Sequence, residues 1–205
     1  MTPSQRLESE IEKIKSSLLA RPGRKVPGEE SMPQAAVAMI LRPNKALGEH
    51  EMLLIKRISS ENDPWSGHMA FPGGHYRDND KLILTTAIRE VLEETGIDLR
   101  NCSMLGTLDE VIPTNRAIRV TPYVVLGSEA TAVEVDAEEV SEYFWIPLSF
   151  FRESSNSQLF AVMRSGVNVQ VPSFVLKKNY VIWGMTHRMI TDFLAKVYGA
   201  ETRVT

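Results

Sequence analysis

The stretch FPGGHYRDNDKLILTTAIREVLEETGI, Phe71 to Ile97, decides how this chain is read. Its second half places Glu90, Glu93 and Glu94 at spacings that share one face of a helix. At ~100° per residue, Glu94 falls about 40° to one side of Glu90 and Glu93 about 60° to the other, so the three carboxylates span an arc of about 100°. Like charges at these spacings repel by about 0.2–0.5 kcal/mol per pair, a cost that a bound divalent cation reverses. Taken alone, Glu-x-x-Glu-Glu is an acidic, solvated helix face. The flanking residues shift the reading to a metal site.

Leu84, Ala87, Ile88, Val91 and Leu92 recur at helical spacing, which predicts that the opposite side is buried and the carboxylates face outward. Gly96 stands where a left-handed cap stops the helix. Before the helix, Phe71-Pro72-Gly73-Gly74 brings backbone without side chains to the same place, where a carbonyl would add a hard oxygen ligand. Arg89, next to Glu90, is placed to orient it through a charge-assisted bond. Oxygen-only ligands favour Mg²⁺ or Mn²⁺ over zinc, which prefers His and Cys.

The segment Gly74 to Ile97 resembles the Nudix box: Gly, five residues, Glu, seven residues, Arg-Glu, an aliphatic, any residue, Glu-Glu, any residue, Gly, an aliphatic. Arg89, Glu90, Val91, Glu93, Glu94, Gly96 and Ile97 match the second half in full. In the first half Asp80 replaces Glu, and eight residues separate it from Arg89. Both departures also occur in the coenzyme A diphosphatase-like branch. Leu53-Leu54-Ile55-Lys56-Arg57, Gly67 and Phe71-Pro72-Gly73-Gly74 resemble the signature that precedes the box in that branch. Asp63 stands where the signature has Arg, and the spacing from Arg57 is one residue longer. Phe144 to Leu148 and Ile182 to Thr186 resemble family segments as well, so the likeness covers residues 34 to 195.

The resemblance implies an α/β fold, the Nudix-type α/β/α sandwich with a mixed β-sheet. It implies Mg²⁺ or Mn²⁺ held by Glu90, Glu93 and Glu94 with the Gly74 carbonyl, and Arg89 orienting Glu90. Water then attacks one phosphorus of a nucleoside diphosphate linked to another moiety. The general base is a box glutamate or a carboxylate from a later loop; Glu110, Glu138 and Glu139 are the candidates, with Glu139 preferred. The expected catalytic set is Glu93, Glu94, Arg89 and Glu139. Arg57 and Arg116 are candidate phosphate contacts and Trp65 a candidate base-stacking residue; each has a plain structural alternative as a surface ion pair or loop packing. His68 and His75 read as ordinary loop histidines. Coenzyme A leads the substrates, with ADP-ribose, nucleotide sugars and nucleoside triphosphates as rivals. A Nudix-like ligand-binding module without turnover is the alternative from another class, and an interaction domain built on the N-terminal helix a third. The resemblance also implies a homodimer.

The rest of the chain sets boundaries. With 205 residues and 43% apolar content it fits one domain with a sizeable core. A net charge of −3 without a basic patch gives no nucleic-acid or membrane partner. One cysteine, Cys102, excludes an internal disulfide framework, and no leader or long apolar run is present, so a cytoplasmic location is expected. Leu7, Ile11, Ile14 and Leu18 predict an amphipathic helix over 4–20, with a linker to Pro33; residues 1–33 are expected as this extension, 34–199 as the Nudix domain and 200–205 as a tail. Strands are expected at 35–41, 52–55, 104–112, 118–126 and 143–146, a hairpin over 157–176 turning near Ser165-Gly166, and a helix from Val181 to Tyr198.

Overall fold

The computed structural model describes residues 1–27, 31–59, 66–114, 116–164, 166–177 and 180–199. Its centre is β1 (Gln34–Asn44), buried without interruption from Ala35 to Leu41 because both of its faces are covered. β1 pairs in parallel with β6 (Arg119–Leu126) on one side and antiparallel with β2 (Glu49–Arg57) and β4 (Gly73–His75) on the other. β5 (Ser103–Thr107) extends the sheet beyond β6, while β7 (Val140–Pro147) and the short β3 (Met69–Ala70) flank β2. The sheet is therefore mixed.

Period-two alternation along β1 divides the core. Ala36, Ala38 and Ile40 pack with Ala87 and Val91 of α2 (Ile83–Thr95). Ala35, Val37, Met39 and Leu41 face the other way, toward α1 (Pro3–Ala20) and α4 (Gly184–Tyr198). Helix, sheet and helix form the expected α/β/α sandwich. Between β7 and α4 the chain makes α3 (Leu148–Arg152) and a three-stranded antiparallel sheet of β8 (Ser157–Arg164), β9 (Val167–Lys177) and β10 (Tyr180–Trp183). The predicted hairpin is β8–β9.

Three expectations are corrected. The strand expected over 104–112 ends at Thr107; Gly106, at φ 153°, sits at a register shift, and beyond Thr107 the Leu108 amide donates to the Pro122 carbonyl and Val111 forms an isolated bridge with Val120. The helix expected from Val181 begins at Gly184, because residues 180–183 pair with β9 and Gly184 turns the chain at φ 63°. Leu92 is 40% exposed rather than buried, since Ala87 and Val91 supply the α2 contact with the sheet.

The N-terminal helix is capped by Thr2 and Gln5 and buries Leu7, Ile14 and Leu18. Glu10 fastens it, accepting bonds from the backbone and ring of His50 and from the Tyr198 hydroxyl. The following segment is also held: Arg24 pairs with Asp109 at 2.6 Å, and the Val26 amide donates to Glu110. Among the described residues no helix is long and apolar enough to cross a membrane.

Because Ile14 is fully buried in the main core, Ile14→Ala is expected to cost about 2–5 kcal/mol, read as a lowered urea midpoint with an unchanged slope. An unchanged midpoint would mean that α1 contributes nothing to the folded domain.

Candidate active site

The site is built where β4 meets α2. Register places Gly74 opposite Ala36 and Gly73 opposite Val37. At Gly73, φ is 142° and a β-carbon would overlap the Ala36 carbonyl, so this position needs glycine twice over. A β-carbon on Gly74 would overlap the Glu90 carboxylate. The bare backbone thus lets α2 approach closely enough for its acidic side chains to lie against β4.

The carboxylate face is not outward, which corrects the expectation from helical periodicity. Glu94 is 1% exposed and Glu90 8%; only Glu93 reaches solvent. The Gly73 amide donates to Glu94 Oε2 at 2.8 Å, and Arg57, at the end of β2, lies 3.4 Å from Glu94 Oε1. Burial pushes the Glu94 carboxyl up to about 8, and the charges of Glu139 and Glu90 add to that rise against the opposing Gly73 amide and Arg57. Glu139, exposed on the loop before β7, accepts through its carbonyl from the amide of Ile58, one residue beyond Arg57, at 2.9 Å.

Arg89 organises the remaining groups. Its Nε and Nη2 grip Asp80 in a fork of two 2.9 Å bonds, Nη2 also donates to the His75 carbonyl at 3.0 Å, and Nη1 reaches Glu90 at 2.5 Å and Glu93 at 3.1 Å. Every N–H of the guanidinium is used. Asp80, on a short turn between β4 and α2, also accepts from the Arg77 amide and the Thr86 hydroxyl; chiefly through Arg89, its carboxyl is held well below the usual range. Lys81, directly after this turn, redirects the chain toward α2 at φ 59°. Arg77, which sequence reasoning did not single out, stands 3.7 Å from both Glu90 and Glu93.

Not every expected residue joins this group. Among the described residues, no three His, Cys, Asp or Glu side chains form a cluster with the geometry of a metal site; the box carboxylates share Arg57, Arg77 and Arg89 instead. Glu110 accepts from the Val26 amide and the Thr121 hydroxyl and lies 3.6 Å from Arg119, a structural placement. Glu138 and Arg116 are exposed on loops. His75 contributes its carbonyl, and the His68 ring packs edge-on against Trp183 at 4.7 Å. Trp65 lies outside the described residues. The donors at this face, carboxylate oxygens beside the bare Gly73-Gly74 backbone, are of the hard oxygen type that Mg²⁺ and Mn²⁺ prefer.

The fold agrees with the class of protein that the family match assigns, a hydrolase of phosphoanhydride bonds. Residues 32–162 match the NUDIX domain, and the chain belongs to the Nudix hydrolase family, whose members typically use divalent metals. It is 32% identical over 145 residues to the uncharacterized Nudix hydrolase NudL of Photorhabdus laumondii, covering 71% of this chain and 76% of that protein. It is 37% identical over 105 residues to an uncharacterized protein of Schizosaccharomyces pombe, covering 48% of this chain and 32% of that one, so it spans about a third of that relative's length. A MutT/nudix family protein from Enterococcus faecalis shares the fold, with a TM-score of 0.52 at 18% identity over 86% of this chain and 64% of that one.

Two expectations follow from this geometry. Gly73→Ala strains the backbone and strikes another strand, so it should cost at least about 1–3 kcal/mol in denaturant unfolding, and more than Gly74→Ala, which displaces the Glu90 carboxylate but needs no unusual backbone angle. Equal losses would contradict the distinction. The second concerns pH: between the ordinary 4.5 and about 8, folded Glu94 holds a proton that the unfolded chain has released, so its contribution makes stability fall as pH rises through that window. In chelator, the melting temperature of wild type should drop more steeply from about pH 5 to 8 than that of Glu94→Gln; parallel profiles would contradict the assignment.

Proposed function

We propose that this chain is a Mg²⁺- or Mn²⁺-dependent diphosphatase that cleaves a nucleoside diphosphate joined to another moiety, with coenzyme A the leading substrate. The observation that carries the reading is the pair Glu90 and Glu94, buried against Gly73-Gly74 and oriented by charged and backbone donors. Glu90, Glu93 and Glu94, with the Gly74 carbonyl, are the residues that would hold the cation. A bound divalent cation supplies charge neutralisation at the phosphoryl oxygens and a nucleophilic water near neutral pH.

The chain's own groups do the rest. Arg89 fixes the position of Glu90 through a guanidinium already anchored on Asp80. Arg57 reaches the cluster from β2 and offers a donor fork to a phosphate oxygen. Glu139, exposed on the loop before β7 with its charge acting on Glu94, is assigned as the acceptor of the attacking water's proton. The products are a nucleoside monophosphate and a phosphorylated remainder, with no covalent enzyme intermediate. The choice of coenzyme A rests on the likeness of Leu53 to Arg57, Gly67, Phe71 to Gly74 and the Asp80 spacing to the coenzyme A diphosphatase branch. ADP-ribose and nucleotide sugars are the competing substrates.

The test is a panel of coenzyme A, ADP-ribose and nucleotide sugars with Mg²⁺ or Mn²⁺. Coenzyme A should give 3′,5′-ADP and phosphopantetheine, and Glu94→Gln should lower turnover at least ~100-fold with the fold intact. Preference for ADP-ribose or a sugar nucleotide would remove the coenzyme A assignment, and activity indifferent to chelator would remove the metal. Substrate binding without turnover would assign a ligand-binding module.

A further inference from the structure

We infer that Tyr143 is the surface on which the nucleobase of the ligand stacks, an inference that rests on the nucleotide-directed reading of the site above. The argument starts from strand register. Tyr143 on β7 pairs with Ile55 on β2, two residues before Arg57. Trp145 packs in the core on the α2 side of the sheet, whereas Phe144 packs in the core on the opposite side. Alternation therefore puts Tyr143 on the α2 face, the face where Arg57 meets Glu94. A register shift after Lys56 pairs Arg57 with Val140, so Tyr143 stands three residues along β7 from the partner of Arg57, about 10 Å along the strand, a distance on the order of the length of a nucleoside monophosphate.

The two aromatic residues that β7 places on this face differ in what covers them. The Arg42 guanidinium lies over Trp145, 4.1 Å from its ring centroid, and is held there by Glu51 at 2.9 Å. Tyr143 is 44% exposed, and among the described residues its side chain takes part in no hydrogen bond, ion pair or ring contact. β7 lies at the outer side of β2, so the ring is open to a ligand. A planar base with one ring face available fits it, because aromatic stacking needs no hydrogen-bond partner and tolerates different bases. The phosphate-cleaving groups lie at the end of the same strand pair, so a base on Tyr143 directs its 5′ substituents toward Arg57 and Glu94. Tyr143 is in this sense a residue of ligand binding and of specificity, and it takes no part in the chemistry.

The experiment uses AMP and ribose 5-phosphate, which differ by adenine alone, as ligands of the full chain in isothermal titration calorimetry. Wild type should bind AMP more tightly than ribose 5-phosphate. Tyr143→Leu should weaken AMP about ten-fold and leave ribose 5-phosphate unchanged, while Tyr143→Phe keeps wild-type affinity because it keeps the ring. On the hydrolysed substrate, Tyr143→Leu should raise KM with kcat within about two-fold. Equal affinity of wild type for the two ligands, no AMP binding, an unchanged AMP affinity in Tyr143→Leu, or a loss in Tyr143→Phe as large as in Tyr143→Leu would each overturn the inference. AMP binding is read without turnover, so the two readings fail separately. A chain that hydrolyses nothing in the panel yet binds AMP through Tyr143 overturns the hydrolytic reading and keeps this one; a chain that hydrolyses the panel with Tyr143→Leu unaltered does the reverse.

Discussion

The structure turns on the close approach of a bare backbone to two acidic side chains. Glu94 takes a hydrogen bond from the Gly73 amide, and Glu90 occupies the space that a side chain on Gly74 would fill. Both glycines are placed by pairing with β1, the strand whose apolar run from Ala35 to Leu41 puts it at the centre of the sheet. The other side of α2 is fixed by Ala87 and Val91 packed on Ala36, Ala38 and Ile40. The hydrophobic core therefore sets the distance between helix and glycine strand, and that distance decides that the carboxylates are buried.

Burying carboxylates is costly unless opposite charge and donors accompany them. Here the compensation is arranged around Arg89, which grips Asp80 at one end and Glu90 and Glu93 at the other. Glu94 receives the backbone amide and Arg57, yet its proton affinity stays high because burial outweighs both. Two carboxylates of the same segment thus have different electrostatics: the Asp80 carboxyl is held well below the usual range, chiefly by Arg89, while burial raises that of Glu94. This contrast makes Asp80 an anchor for the arginine, whereas Glu94 is held by the Gly73 amide and Arg57.

Much of this was legible in the sequence, for reasons that can be named. Residue spacing gave the helix that carries Glu90, Glu93 and Glu94, and Gly96 caps it at φ 70° as expected. The β8–β9 hairpin and the amphipathic character of α1 were equally clear, since each is a local pattern. What periodicity could not supply is a second element. A helical wheel contains no β4, so it sends the carboxylates outward, whereas the strand that Gly73 and Gly74 form covers Glu90 and Glu94. Likewise Val181 and Ile182 continue an apolar pattern into α4, but pairing with β9 claims them first. Arg77 and Tyr143 carry no motif; only the turn around Asp80 and the register of β7 on β2 reveal where they stand.

The central claim is that burial and glycine contact prepare Glu90 and Glu94 for a divalent cation. It is tested most directly by calorimetric titration of the full chain with Mn²⁺ near pH 7, run in two buffers of different ionisation enthalpy so that proton release is counted. The account predicts saturable Mn²⁺ binding with release of up to about one proton, and loss of both in a Glu90→Gln, Glu94→Gln double variant that still folds. Mn²⁺ binding that is the same in wild type and the double variant, or absent from both, would contradict it.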